Sequence, residues 1–328
     1  MSAVLVLTAL LGITAQADDA IIGGSTTSDF GAVGQLLAVN DRYGAAPFCS
    51  GTLVRDNWLI TAAHCVDGAE EYTRYGFDIM FVVGTSVQSA AGVDDYAMVS
   101  RMVGHPSYRG VDHDVAVMEL EGVGLPNVEK IPLNSDRAQS SWVRSDITYV
   151  GWGNSNDSGG GAGTKRTVDV PIYYVDTGVI YTWATGGGAN ICSGDSGGAA
   201  LRPDDESGVL ELVGVNSFGT MADGSREVLC DDPNAVAGVS RVDVDYDWFI
   251  DYIGEEAEPE PEPEPEGGDE DGMADTGGGV DTAAVEDVEE GNGKADGKAS
   301  GCSAMGGMAG GLGLAVALLG AVARRRED

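Results

Sequence analysis

Three short segments of this sequence carry residue types that could perform nucleophilic chemistry, and the clearest is Gly194-Asp195-Ser196-Gly197-Gly198. The glycines permit a tight turn that exposes the serine oxygen and leaves room for a second backbone. A serine hydroxyl is a weak nucleophile, so it needs a base within hydrogen-bond reach and N–H groups directed at the developing oxyanion. Taken alone, these five residues could also be an ordinary turn between strands. The remaining chain must therefore supply the base.

A histidine and an aspartate at the ends of two apolar runs meet that need. His64 follows the strand-like run Leu59-Ile60-Thr61, and Asp114 stands at the start of Val115-Ala116-Val117-Met118. Asp112 competes for the same role, but it lies in the preceding loop. We therefore expect Asp114 to act with His64.

The order His64, Asp114, Ser196 resembles that of trypsin/chymotrypsin-fold serine endopeptidases. Further matching motifs are Ile21-Ile22-Gly23-Gly24, Ser217-Phe218-Gly219 and Ala237-Gly238-Val239. The resemblance implies an all-β fold of two six-stranded Greek-key β-barrels with the active site between them. Short strands at regular spacing agree with that fold class. A C-terminal helix is predicted from apolar residues on one helical face, namely Val244, Trp248, Phe249, Tyr252 and Ile253.

The same resemblance assigns catalytic roles. Ser196 would be the nucleophile and His64 the general base, while Asp114 would orient the imidazole. The N–H groups of Gly194 and Ser196 would form the oxyanion hole. The chain from Ser217 to Gly219 would pair with an extended protein or peptide substrate.

Asn190 is implied to form the floor of the primary specificity pocket, with Ser217, Phe218, Gly219 and Gly238 around it. A neutral amide cannot neutralise a buried lysine or arginine of a substrate. We therefore predict cleavage after Leu, Met, Phe or Tyr. The alternative is that an acid from a neighbouring loop restores basic specificity, the candidates being Asp223, Glu227, Asp231 and Asp232.

The N-terminus predicts export and activation. Residues 1–17 read as a signal peptide ending in Ala15-Gln16-Ala17, and residues 18–20 as a short propeptide. By resemblance, cleavage before Ile21 would free an ammonium group that pairs with Asp195.

By the same resemblance the cysteines would form the disulfides Cys49–Cys65 and Cys192–Cys230. Four free thiols are the alternative, and they fit poorly with an exported protein. The site needs no cofactor or metal. A weaker alternative is a calcium site at Glu70, Glu71 and Asp78. His105 is interpreted as structural, and His113 is expected to point away from Asp114.

Composition divides the chain into a protease domain at 21–254, an acidic Pro/Gly-rich linker at 255–300 that is expected to be disordered, and a tail at 301–328. The net charge of −35 argues against nucleic-acid partners. Cys302, a short apolar run and three terminal arginines resemble the sorting tails of myxobacterial surface proteins, which a sorting protease would process. A plain tail anchor is the alternative. Either way, membrane contact is expected only through the tail of a secreted, surface-bound monomer.

Two other functions remain possible on this sequence. One is a folded but catalytically silent adhesin or binding protein, which would be expected to lack a triad residue. The other is a protease that is never activated. All three triad residues are present, which favours an active serine endopeptidase.

Overall fold

The structure is a computed structural model that describes residues 21–225 and 228–255, together with the backbone of residues 300–301. The predicted signal peptide, the propeptide, nearly all of the linker and Cys302 lie outside the described residues.

Six antiparallel strands close the first barrel, and a two-residue strand precedes them. In chain order the strands are β1 (Ser25–Thr26), β2 (Val33–Asn40), β3 (Gly44–Arg55), β4 (Trp58–Thr61), β5 (Asp78–Gly84), β6 (Val93–Gly104) and β7 (Ala116–Leu120). The order around the barrel is β2-β3-β4-β7-β6-β5. Both faces of β2 and β5 are buried, as expected for strands rich in apolar and β-branched residues.

A second set of six strands forms the other barrel. They are β8 (Asp146–Gly151), β9 (Arg166–Val175), β10 (Val179–Thr182), β11 (Ala199–Pro203), β12 (Leu210–Met221) and β13 (Ala235–Arg241). The order β9-β10-β13-β12-β11-β8 is closed by pairing of β8 with β9. β1 adds to β9, and a two-residue strand, β14 (Ser300–Gly301), adds to β12. The predicted all-β fold of two six-stranded barrels is confirmed.

Two α-helices accompany the barrels, α1 (Ala63–Arg74) and α2 (Tyr246–Ile253). Short 3-10 helices lie at Ala90–Gly92 and Ser140–Trp142. Neither α1 nor α2 has the length and apolar character needed to span a bilayer, and no other helix among the described residues does.

The terminal helix was predicted correctly, but two details were wrong. Val244 is 42% exposed and precedes α2, so it does not share the buried face of Phe249 and Ile253. Helix α1 was not predicted, although Ala63, Val66 and Ala69 bury one face at helical spacing. Because this helix starts at the His64 motif, its first turn is part of the candidate site.

The barrels meet along a hydrogen-bonded interface beside the site. The indole N–H of Trp152 donates to the carbonyl of Val33 at 3.2 Å. The Ser50 hydroxyl accepts from the Trp152 N–H at 3.2 Å and donates to the Gly194 carbonyl at 2.9 Å. Residues from the first barrel therefore fix the loop that carries Ser196.

Candidate active site

The pairing of β4 with β7 brings His64 and Asp114 together. Thr61, the last residue of β4, lies opposite Ala116, the first residue of β7. His64 follows β4 in the first turn of α1, and Asp114 lies two residues before β7. A histidine and an aspartate that are fifty positions apart in the chain are therefore neighbours.

The Asp114 carboxylate is 1% exposed and accepts three hydrogen bonds. The donors are the His64 N–H at 2.9 Å, the His64 Nδ1 at 2.7 Å and the Ser217 hydroxyl at 2.5 Å. These donors offset the cost of removing the charge from water. An ionised carboxylate can only accept, so Nδ1 carries a proton, and whenever the ring holds only that proton Nε2 is an acceptor.

The Nε2 atom of His64 is buried and has no hydrogen-bond partner among the described residues. A buried acceptor without a partner is costly, and such atoms in native proteins call for a chemical explanation. A nitrogen in this state could take a proton from a hydroxyl that comes within hydrogen-bond reach.

The Ser196 loop packs against the end of β4. The Ser196 carbonyl accepts from the Ser50 N–H at 2.8 Å. Gly197 has φ of +79°, and a Cβ there would lie 2.1 Å from the Thr61 hydroxyl. Only glycine permits this approach, which brings the serine loop alongside the strand leading to His64.

Two N–H groups of the same loop are unused. Neither Gly194 nor Ser196 donates a backbone hydrogen bond within the described part of the chain. Gly194 has φ of +96°, a conformation that glycine adopts without strain. N–H groups left free at the nucleophile could stabilise negative charge on a substrate oxygen.

Asp195 is fully buried behind this loop. Its carboxylate accepts from the Gly153 N–H at 2.7 Å and the Cys192 N–H at 2.8 Å. Burial raises the pKa of Asp195 to about 7, and the two N–H donors and the charge of Arg166 oppose that rise.

The N-terminal segment reaches the same region of the second barrel. Ile21 is fully buried in the core of that barrel. Ile22 and Asn190 exchange backbone hydrogen bonds of 2.9 and 3.1 Å. Release of an ammonium group at Ile21 would therefore change the charge inside this barrel.

A family model described as Trypsin matches residues 21–242, which include His64, Asp114 and Ser196. The chain belongs to the trypsin family. A trypsin of Saccharopolyspora erythraea is 28% identical over 221 residues, covering 63% of this chain and 87% of that protein. Trypsin-1 of Salmo salar is 28% identical over 222 residues (63% and 86%), and brachyurin of Leptuca pugilator is 29% identical over 204 residues (57% and 80%). The trypsin-family domain makes this protein a serine endopeptidase.

Both disulfides of the trypsin-family domain form as predicted. Cys49–Cys65 ties β3 to the first turn of α1, with 6.1 Å between the Cα atoms. Cys192–Cys230 ties the segment before Ser196 to the loop before β13, with 5.4 Å between the Cα atoms. Each disulfide therefore anchors a segment next to a candidate catalytic residue, His64 or Ser196.

Asn190, the predicted pocket floor, is buried and hydrogen-bonded. Its Oδ1 accepts from the Ile191 N–H at 2.9 Å, and its Nδ2 donates to the Cys230 carbonyl at 3.4 Å. Gly238 lies against the ring of Phe218, since a Cβ at this position would be 2.3 Å from that ring. A Cβ at Gly219 would be 3.0 Å from Val228. Both hydrogen-bond partners of the Asn190 side chain are therefore neutral backbone groups.

Three acids that could have given the pocket a preference for lysine or arginine form hydrogen bonds with other groups. Asp223 accepts from the Ser225 N–H at 2.9 Å, and Asp232 accepts from the Asn234 N–H at 2.7 Å. Asp231 is exposed, and a hydrogen bond with the Asp157 carboxyl raises the pKa of Asp231. Glu227 lies outside the described residues.

The other two histidines share a buried carboxylate on the far side of Asp114. His113 Nδ1 bonds to Asp245 at 2.7 Å, and the rings of His105 and His113 stack with centroids 4.7 Å apart. His105 also packs edge-on against Trp248 of α2 at 4.7 Å. These contacts anchor α2.

Of the suggested calcium ligands, Glu70 forms an ion pair with Arg74 on α1.

One contributor to the site was missed from the sequence. Ser217 was interpreted only as part of the substrate strand, but its hydroxyl donates to Asp114. No sequence signal distinguishes a serine whose side chain meets a carboxylate of the other barrel. The contact joins β12 of the second barrel to Asp114, which precedes β7 of the first barrel.

Proposed function

We propose that His64, Asp114 and Ser196 form the catalytic triad of this endopeptidase. The observation that carries the proposal is the fixed tautomer of His64: Nδ1 bonds to buried Asp114 at 2.7 Å, and Nε2 has no partner among the described residues. Ser196 attacks the scissile carbonyl and gives its proton to Nε2. His64 then returns that proton to the leaving amine, and water hydrolyses the acyl ester.

The oxyanion of the tetrahedral intermediate is bound by the N–H groups of Gly194 and Ser196. Both are free of other backbone bonds within the described residues. By comparison with measured donors, each N–H group lowers the activation free energy by on the order of 3 kcal/mol. No cofactor takes part in this scheme.

We further propose that the pocket above Asn190 accepts uncharged side chains. A substrate lysine or arginine would bury its charge beside a neutral amide, which costs several kcal/mol. Asp223 and Asp232 bond to nearby N–H groups, and this removes two candidates for a compensating carboxylate.

Release of Ile21 activates the enzyme in this proposal, because its ammonium group would neutralise the buried carboxylate of Asp195. Residues 18–20 end in alanine, so the activating cleavage would not be trypsin-like.

In the same proposal, residues 1–17 direct export, and residues 301–328, with Cys302, hold the enzyme at the cell surface. A Cys302→Ser variant that leaves the cell-bound fraction unchanged would contradict this role of the tail.

A serine-directed fluorophosphonate probe tests the catalytic proposal. The processed wild type and Ser193→Ala, a matched change three residues away in the same loop, should both be labelled. Ser196→Ala and His64→Ala should not. Labelling of Ser196→Ala at the wild-type rate would contradict the assignment, and absence of wild-type labelling would favour a binding protein. A peptide-library profile dominated by Arg and Lys would overturn the pocket proposal.

A further inference from the structure

The loop that joins β8 to β9 packs its first residues against the loop that carries Ser196. A Cβ at Gly153 would lie 2.5 Å from the Asp195 nitrogen and 2.6 Å from the Ser193 oxygen. The next residue, Asn154, donates its N–H to the Ser193 carbonyl at 2.8 Å. Because such short separations leave no room for a side chain at 153, the two backbones are in direct contact here.

The bond from Asn154 acts on the peptide unit that joins Ser193 to Gly194. A trans peptide unit is planar, and its C=O and N–H point in opposite directions. Holding the Ser193 carbonyl toward Asn154 therefore turns the Gly194 N–H to the opposite side of the unit. That N–H has no backbone acceptor within the described residues, and it is one of the two donors proposed for the oxyanion.

A carboxylate three residues further along ties the same loop to a second segment. Asp157 accepts the Cys230 N–H at 2.8 Å and the Asp231 N–H at 3.3 Å. Cys230 is joined by a disulfide to Cys192, whose N–H donates to the Asp195 carboxylate. The loop is therefore held at two places, and both lead back to the residues just before Ser196.

The turn around Asp157 is closed by hydrogen bonds of its own. The Ser155 N–H donates to the Gly160 carbonyl at 2.7 Å, and the Gly159 N–H donates to the Asn156 carbonyl at 3.1 Å. The Asn156 side chain also accepts from the Gly160 N–H at 3.3 Å. The position of Asp157 and that of the start of the loop are therefore linked.

The charge of Asp157 strengthens its hold on the second segment. Partial burial opposes ionisation, but a hydrogen bond with the Asp231 carboxyl and the two backbone N–H donors outweigh it and lower the pKa of Asp157. The carboxylate is therefore ionised at neutral pH. Hydrogen bonds to an ionised acceptor are stronger than those to a neutral one.

We propose that Asn154 and Asp157 are positioning residues for the oxyanion hole of this enzyme. The Asn154 N–H fixes the orientation of the Ser193–Gly194 peptide unit, and Asp157 anchors the loop that supplies this N–H. Neither residue needs to touch the substrate. The orientation matters most when negative charge develops on the substrate oxygen, so its loss should lower kcat and leave KM nearly unchanged.

This inference rests on the proposed catalytic function, so the test measures activity together with binding of a transition-state analogue. Hydrolysis of an uncharged peptide ester gives kcat and KM, and a peptide aldehyde of the same sequence is the analogue. In its adduct, Ser196 Oγ bonds to the aldehyde carbon and the serine proton passes to His64, which leaves negative charge on the aldehyde oxygen.

The first variant is Asn154→Pro, which removes the N–H that bonds to Ser193. Its matched control is Ala162→Pro, which places proline in the same loop at a residue whose N–H has no partner among the described residues. Thermal unfolding verifies that each variant is folded.

A second variant, Asp157→Asn, keeps the test decisive if proline at 154 prevents folding. Its control is Asp204→Asn. The Asp204 carboxylate also accepts two backbone N–H groups, those of Glu206 and Ser207, but only within its own turn.

We expect Asn154→Pro to lower kcat and the affinity for the aldehyde by the same factor, at least about tenfold, while KM changes by less than about threefold. Asp157→Asn should show the same pattern with a loss of at least about threefold, because the Asn154 N–H is still present. Both controls should match wild type.

Active wild type with folded variants that match their controls overturns this inference alone. A loss that appears in KM while the aldehyde affinity is kept also overturns it. Wild type that neither hydrolyses the ester nor binds the aldehyde overturns the catalytic proposal as well.

Discussion

The two barrels differ in what holds their proposed catalytic groups in place. The first barrel supplies His64 and Asp114, which are fixed by direct bonds between them and by the pairing of β4 with β7. The second supplies Ser196 on a glycine-rich loop, and its core contains Ile21 from the N-terminal segment. The acid–base half of the site is therefore held mainly by its own barrel, with one further bond from Ser217 of the second barrel, whereas the nucleophile half depends on a segment outside its strands.

The glycine conformations show the same contrast. His64 and Asp114 sit beside regular elements, whereas Gly194 and Gly197 on either side of Ser196 both have positive φ. A loop built on such residues has few regular hydrogen bonds of its own. Its shape therefore relies on Ser50 of the first barrel and on the buried carboxylate of Asp195.

The largest effect is expected where the two barrels act as one unit. Ser196→Ala and His64→Ala should each lower kcat by about a millionfold, and the double variant should be no worse, because triad members act together. Steady-state hydrolysis of a peptide ester measures this, with thermal unfolding to verify that the fold is intact. Additive losses in the double variant would show that the two residues act separately.

The dependence of the second barrel on Ile21 predicts a pH effect on stability. In a chain still joined at Ala20, the pKa of Asp195 is about 7, above the usual value of 3.8. The protonated carboxyl is then the stable form in the fold, so its stabilisation is complete below pH 3.8 and is lost as pH rises through 7. The loss amounts to about 4 kcal/mol.

Denaturant unfolding of the uncleaved chain between pH 4 and 7.5, on the Ser196→Ala background, measures this loss. The processed chain should not show it, since the Ile21 ammonium would neutralise Asp195. Asp195→Asn serves as the control and should unfold with little pH dependence from this group. Identical pH slopes for the cleaved and uncleaved chains would break the contrast between the barrels.

Removing the disulfides separates stability from activity. The paired cysteines are 16 and 38 residues apart in sequence. Closing loops of these lengths predicts a stabilisation of about 3 kcal/mol from Cys49–Cys65 and about 4 kcal/mol from Cys192–Cys230. Paired Cys→Ala variants, compared by denaturant unfolding and by kcat/KM, measure both properties. We expect the second variant alone to lose activity under conditions where both are folded, because the Cys192–Cys230 disulfide holds the backbone segment whose N–H at Cys192 donates to Asp195. Equal activity in the two variants would argue against this.

The smallest expected effect concerns the contact between the barrels at Asp114. Ser217→Ala removes a hydrogen bond to a buried carboxylate, which typically contributes about 1.5–3 kcal/mol, and should lower kcat by at least about tenfold. The control is Ser240→Ala, whose buried hydroxyl has no partner among the described residues. If the two variants keep the same kcat and the same pH–rate profile, the Ser217 hydroxyl has no positioning role.

The residue types at 194–198 and in the motifs at His64 and Asp114 identified the candidate triad, because that chemistry requires particular residue types. The fold of two barrels and the two disulfides were implied by the resemblance of these motifs to the trypsin/chymotrypsin family. The apolar runs that form β4 and β7 were also recognised in the sequence, since buried strands contain few polar residues.

Only the tertiary structure decided which groups meet across the barrels. Three contacts join residues more than 80 positions apart in the chain. They are the hydrogen bond from Ser217 to Asp114, the hydrogen bond from the Ser50 hydroxyl to the Gly194 carbonyl, and the pairing of Ser300 with Gly219. Val244 was misplaced for a related reason: helical spacing reports which residues could share a face, but not where the helix begins. Such contacts depend on how strands are ordered around a barrel, and local residue patterns do not encode that order.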